Sequence, residues 1–133
     1  MKTSHYALAI AATLCAHTAQ AQQDQIIQFK RGHNAAVMVG EVKGYNKTYV
    51  FNARQGQKAT VTLTPIGSNA SPLSFSLYSY CGGAEFGQTL SIETTNWRGI
   101  LPCTDQYSID VSPDQNGIKN NYRLKYTLKV KIQ

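Results

Sequence analysis

From Tyr122 to Ile132 every second residue is apolar. Tyr122, Leu124, Tyr126, Leu128, Val130 and Ile132 alternate with Arg123, Lys125, Thr127, Lys129 and Lys131. An amphipathic helix repeats its apolar positions every three to four residues, so this run excludes a helix; it fits a strand with one face in a core and the other in water. The same period governs "KATVTLTP", with Ala59, Val61 and Leu63 on one face. It governs "SPLSFSLYSY" through Leu73, Phe75, Leu77 and Ser79, and "QYSIDVS" through Tyr107, Ile109 and Val111.

Turn-forming residues separate these runs: Gln55-Gly56-Gln57, Gly67-Ser68-Asn69, Gly82-Gly83 and Pro113-Asp114-Gln115-Asn116-Gly117. No segment carries a helical repeat of useful length, and there is no Gly-rich phosphate loop, internal repeat or linker. Short strands spaced by about 8–12 residues with such turns predict an all-β chain folded as one antiparallel β-sandwich.

The first residues, "MKTSHYALAIAATLCAHTAQAQQ", read differently. Lys2, an apolar stretch from Tyr6 to Ala16 and the small-x-small run Ala19-Gln20-Ala21 make residues 1–21 a secretory signal, cut after about Ala21. The apolar part is shorter than the roughly 20 residues a membrane span requires. A lipoprotein reading of Cys15 meets Leu14 where a small residue is needed. Residues 22–133 are then the mature domain, exported and, given the short bacterial-type signal, periplasmic. Without Lys2 the formal charge falls from +6 to +5.

That mature domain keeps one histidine, His33, and two cysteines, Cys81 and Cys103. In an oxidising compartment two cysteines are expected to form a disulfide, with two free thiols as the alternative. One histidine and two distant cysteines make no metal site, and no cofactor motif is present. A Ser-His-Asp triad has only His33 to draw on, and no Gly-x-Ser-x-Gly elbow occurs. Glycosidase chemistry needs two facing carboxylates, whereas Asp24, Glu41, Glu85, Glu93, Asp105, Asp110 and Asp114 are all expected near strand ends or in turns. The chain reads as a non-enzyme.

Its cations are better organised. Arg123, Lys125, Lys129 and Lys131 form a stripe opposite the apolar face, and Lys119 extends it into the preceding loop. Either this is a solvated face whose lysines discourage edge pairing, or it meets an anionic envelope surface or an acidic cleft. Nucleic acid is excluded as a partner by export and by the lack of an aromatic–basic platform. In "GEVKGYNKTYVF", Tyr45 follows a glycine and precedes an asparagine, a large aromatic where the chain should bend.

Two stretches carry a resemblance. Gly40-Glu41-Val42, Tyr49-Val50-Phe51, Ala53 with Gly56-Gln57, and the later Leu101-Pro102 with Tyr107 and Val111 resemble the prepeptidase C-terminal-like β-sandwich superfamily. Phe29-Lys30-Arg31-Gly32-His33, Gly40-Glu41-Val42-Lys43-Gly44-Tyr45 and Gln55-Gly56-Gln57-Lys58 more specifically resemble the bacterial periplasmic inhibitors of g-type (goose-type) lysozyme. The similarity runs from about Ile26 to Ile132, strong in the first third and thin in the middle.

The resemblance implies a protein partner, a g-type-lysozyme-like peptidoglycan muramidase, bound in its cleft by loops at one end of the sandwich. It makes Tyr45 an exposed contact residue; the alternative is that Tyr45 folds back over the sandwich end. It also implies a basic loop before the last strand, here "SPDQNGIKNNY". Two arginines are expected there, and their positions fall on Gln115 and Lys119, beside Asn116. Lys119 keeps the charge without the planar fork of arginine, and Gln115 drops it. The Cys81–Cys103 pair also departs from the family pattern. Two further classes stay open: a peptidoglycan- or carbohydrate-binding module using Trp97 as a stacking platform, and a structural subunit of an envelope assembly.

Overall fold

The period-two segments become strands of two facing sheets. The computed structural model describes residues 23–67, 72–83 and 85–133. The segment 1–21, read from the sequence as a secretory signal, and part of the turn at Gly67-Ser68-Asn69 lie outside the described residues. In chain order the elements are β1 (Gln25–Ile26), β2 (Ala35–Lys43), β3 (Lys47–Ala53), β4 (Lys58–Ile66), β5 (Leu73–Ser79), β6 (Gln88–Thr94), β7 (Asn96–Ile100), β8 (Asp105–Pro113), α1 (Gln115–Lys119) and β9 (Arg123–Ile132). One sheet runs β1-β3-β8-β5-β6 and the other β2-β9-β4-β7. All pairings are antiparallel except the two-residue β1, which runs parallel to β3.

The expected inner rows are buried: Ala59, Val61 and Leu63; Leu73, Phe75, Leu77 and Ser79; Tyr107, Ile109 and Val111; and Leu124 through Ile132 on β9. Tyr122 departs from its row. It precedes β9 and is half-exposed, because the left-handed Asn121 (φ 53°) turns the chain before the strand starts. The basic stripe also lies differently from an edge strand, since β9 is interior, paired with β2 and β4. Its lysines therefore do not guard an edge.

Three tyrosines organise the core. Tyr49 on β3 and Tyr126 on β9 hydrogen-bond through their hydroxyls at 2.8 Å, joining the two sheets across the interior. Burial, and then the Tyr49 hydrogen bond, push the Tyr126 phenol well above its ordinary pKa. The pair sits under Gly40, where an added Cβ would come within 2.5 Å of both hydroxyls. Tyr107 stacks on Phe51 with ring centroids 5.4 Å apart. Its hydroxyl also donates to the Cys103 carbonyl at 2.6 Å and accepts from the Cys103 N–H at 3.1 Å, fixing the chain where it enters β8.

Cys81 and Cys103 are joined, with Cα atoms 5.8 Å apart and a sequence separation of 22. The bond links the turn after β5 to the loop before β8, two strands already paired. On the loop-entropy account it contributes about 3 kcal/mol. Cys81→Ser with Cys103→Ser is therefore expected to lower Tm by on the order of 15 °C in a thermal melt. The bond closes the end of the sandwich where β8 begins, whereas the Tyr45 turn lies where β8 ends.

Candidate functional site

Two turns meet at that second end. The β2–β3 turn needs Gly44 twice over. Its φ is +69°, which glycine adopts without strain, and a Cβ there would stand 2.6 Å from Oδ1 of Asn121. Asn121 lies at the junction of α1 and β9 and is itself left-handed, a conformation asparagine tolerates. The β2–β3 turn and the α1–β9 junction are thus pressed together through Gly44 and Asn121. Tyr45 follows Gly44 with 57% of its surface exposed. It does not fold back over the core.

The segment read as a turn at Pro113–Gly117 forms a short helix. Asp114 caps it, its Oδ1 accepting the Gly117 N–H at 2.7 Å, and its carbonyl accepts the Ile118 N–H at 3.0 Å. Gly117 is buried, and a Cβ there would stand 2.8 Å from Cβ of Pro113, so the helix is held close to β8. The helical turn puts Gln115 and Lys119 four residues apart on one face, both exposed, with Asn116 exposed beside them. The two-arginine spacing that the resemblance implies therefore corresponds to one face of α1. Only the second position carries charge here.

Four residues at this end were not assigned to the site from the sequence. Ile118 (45% exposed) and Tyr122 (49% exposed) add apolar and aromatic surface beside Lys119. Lys43 and Lys47 flank Tyr45, the first exposed and the second with its Nζ 5.5 Å from the Tyr49 ring centroid. The signal for the lysines was present, since positions 43, 45 and 47 alternate in the stretch that raised Tyr45. Tyr122 was hidden because its place in the period-two row counted it as core.

Arg123 pairs with Glu41 at 2.9 Å across β2 and β9, so it braces the strands beneath the site. Lys125, Lys129 and Lys131 run away from this end along the outer face of the four-stranded sheet. His33 is exposed in the loop before β2, at the other end of that strand from Tyr45. Trp97 is half-buried against the core, its ring lying across Gly99, where a Cβ would come within 2.5 Å. It packs the β7 edge and presents no open stacking platform.

Two acids depart from their expected places. Glu41 lies within β2 and Asp110 within β8, neither in a turn. Burial raises the Asp110 pKa, a hydrogen bond from Thr48 opposes the rise, and Asp24 adds to it. A raised folded-state pKa means that the ionised carboxylate costs stability once pH rises through that value, and costs nothing below the unfolded value near 4. Asp110→Asn is accordingly expected to melt higher than the parent at pH 7, with the difference closing below about pH 4. Among the described residues, no three of His, Cys, Asp and Glu converge as a metal-ligand set.

The Tyr45 end of the sandwich thus presents exposed aromatic and cationic side chains together, with no catalytic or metal-ligand set beside them among the described residues. No family model matches the chain. It is 26% identical to the inhibitor of g-type lysozyme of Escherichia coli (strain K12), across all of this chain and 98% of that protein. Among solved structures, the periplasmic inhibitor of g-type lysozyme from Aeromonas hydrophila superposes with a TM-score of 0.63 at 28% identity, over 84% of this chain and all of that one. The Salmonella Typhimurium inhibitor gives 0.62 at 27%, over 85% of this chain and all of that one. The pre-peptidase C-terminal domain of a Bacillus anthracis collagenase shares the fold, with a TM-score of 0.53 at 10% identity. The chain resembles the inhibitors of g-type lysozyme over its whole length. These relatives are inhibitors, which agrees with the reading of this chain as a non-enzyme.

Proposed function

We propose that this chain is an exported, periplasmic inhibitor of a g-type-lysozyme-like muramidase, and that the end carrying Tyr45 and α1 enters the enzyme's cleft. Residues 1–21 direct export and are removed. The observation that carries the proposal is the meeting of the β2–β3 turn with the α1–β9 junction through Gly44 and Asn121. It gathers Tyr45, Ile118, Lys119 and Tyr122 on a stiff support, in a chain 26–28% identical to inhibitors of this enzyme class. A tyrosine held on a braced turn offers contact area and a hydrogen-bonding tip with little entropy left to lose.

The chemistry of inhibition follows from what a glycosidase requires. Its acid catalyst must hold a proton to pass to the leaving oxygen. A cation set beside that carboxylate lowers its pKa and keeps it ionised, while the surrounding loops exclude the glycan. Lys119 supplies the cation; Gln115 and Asn116 on the same short helix supply neutral polar contacts. The loss of charge at Gln115 suits an altered target, so a rival bacterium's secreted muramidase stands beside a host lysozyme as the enzyme met. In the second case the chain acts as an immunity protein.

The test is cell-wall lysis by g-type and c-type lysozymes, each mixed with the oxidised chain from Gln22 onward. Suppression of the g-type enzyme alone is expected. Retention on purified peptidoglycan with no effect on either enzyme would replace the proposal with the glycan-binding module.

A further inference from the structure

The two outer faces of the sandwich are chemically unlike. On the five-stranded sheet, β5 and β8 turn Ser74, Ser76 and Ser112 outward, with Asp110 among them, while Ser108 on the same side is buried. On the four-stranded sheet the outward positions are cationic and apolar. Ala35, Lys131, Thr60 and Arg98 stand in register across all four strands, and Val37, Lys129 and Thr62 form the next row. Lys58 lies opposite Ile100 at one margin, and Lys125 lies between Glu41 and Ile66 at the other. The one acid in these rows, Glu41, is held by Arg123. Among the described residues, Lys58, Arg98, Lys125, Lys129 and Lys131 take part in no salt bridge. Lys58, Arg98, Lys129 and Lys131 line an open depression of about 550 Å³ with Thr60 and Thr62.

Like charges set this close repel one another and gain from an external anion. The apolar members decide which kind. Val37, Val39, Ile66 and Ile100 are 62, 74, 50 and 65% exposed on this same face. A water-facing sheet surface ordinarily alternates to polar residues; the five-stranded sheet also exposes Ile26 and Ile92 on its outer strands β1 and β6, but it sets no row of cations beside them. A soluble polyanion gains nothing from exposed valine and isoleucine, whereas the surface of an anionic bilayer takes up both cations and apolar side chains. We infer that the outer face of the β2-β9-β4-β7 sheet docks the protein on an anionic lipid surface. The Tyr45 end is left free, because the face runs along the strands and the binding end lies across their termini. The inference stands independently of the inhibitory reading.

The test is co-sedimentation of the mature protein with vesicles of phosphatidylglycerol and phosphatidylcholine, against vesicles of phosphatidylcholine alone. Binding is expected only to the anionic vesicles and should fall as salt rises. A surface cation contributes about a fivefold factor to such partitioning, so Lys129→Glu with Lys131→Glu should weaken it by on the order of 25-fold or more. Lys58→Glu with Arg98→Glu, on the neighbouring strands, is a second pair that should act alike. Val39→Ser with Ile100→Ser should also weaken vesicle binding while leaving retention on polyphosphate unchanged. All three double variants should keep the parent's melting profile and its effect on lysozyme. Retention on polyphosphate without vesicle binding, or vesicle binding indifferent to both charge reversals, overturns the inference.

Discussion

Tyr45→Ala combined with Lys119→Ala is expected to abolish useful inhibition of the target muramidase while leaving the fold intact. Both side chains are exposed, so their loss removes no core contact. An aromatic anchor at the centre of an interface contributes about 2 kcal/mol or more on truncation, roughly 30-fold in affinity. Removing one partner of a desolvated charge pair costs about 2–5 kcal/mol, much of it the penalty on the carboxylate left behind. Because the two residues share one surface, the double variant should lose somewhat less than the product of the single losses. Titration calorimetry or inhibition kinetics reads the effect, and an unchanged thermal melt shows that the loss is local. Gln115→Arg restores a charge one helical turn from Lys119 and should tighten binding to a g-type lysozyme if the cleft offers it a carboxylate. If both alanine variants inhibit as the parent does, the Tyr45 end is not the inhibitory surface.

Gly40→Ala is expected to be the most damaging single change to stability. The Cβ would sit 2.5 Å from the hydroxyls of Tyr49 and Tyr126, which are hydrogen-bonded to each other and fully buried. Neither ring has room to retreat, as both pack in the interior between the sheets. Overpacking of this kind costs about 1–3 kcal/mol, and parting two buried hydroxyls adds about 1–3 kcal/mol more. A loss of about 3 kcal/mol in a denaturant titration is the expected result. Tyr49→Phe and Tyr126→Phe together remove both hydroxyls and should return part of that loss in the Gly40→Ala background. A Gly40→Ala protein as stable as the parent would mean that the tyrosine pair does not bridge the sheets. Gly40 and Gly44 thus open and close one short run for different reasons, the first to admit two rings and the second to turn the chain against Asn121.

Much of this was legible in the chain. The inner rows of β4, β5, β8 and β9 could be read by period alone, because one face of each meets core and the other water, and the two cysteines are joined, as expected for an oxidising compartment. The misread parts have specific causes. Tyr122 fits the period but lies between the left-handed Asn121 and the start of β9, its N–H donating to the Gly117 carbonyl of α1 and not to a neighbouring strand. Helix α1 looked like a turn because five residues are too few to show a helical repeat, and only the Asp114 cap marks it. Strand order is set by long-range pairing, so nothing local revealed that β9 lies between β2 and β4. Within the site, Tyr45 and Lys119 stood out from the residues themselves, the resemblance added Gln115 and Asn116, and all four are exposed. That Gly44 and Asn121 hold the two turns together depends on contacts between segments more than seventy residues apart, which no local pattern encodes.

The measurement that bears most directly on the central claim is competition. The affinity of the oxidised chain from Gln22 onward for a g-type lysozyme is measured in the absence and presence of a chitooligosaccharide that fills the catalytic cleft. Occlusion by the Tyr45–α1 end predicts that the apparent Kd rises in proportion to oligosaccharide concentration, and that the Tyr45→Ala with Lys119→Ala protein shows little binding to compete with. Simultaneous binding of sugar and protein, with an unchanged Kd, would contradict the account and move the contact away from the cleft.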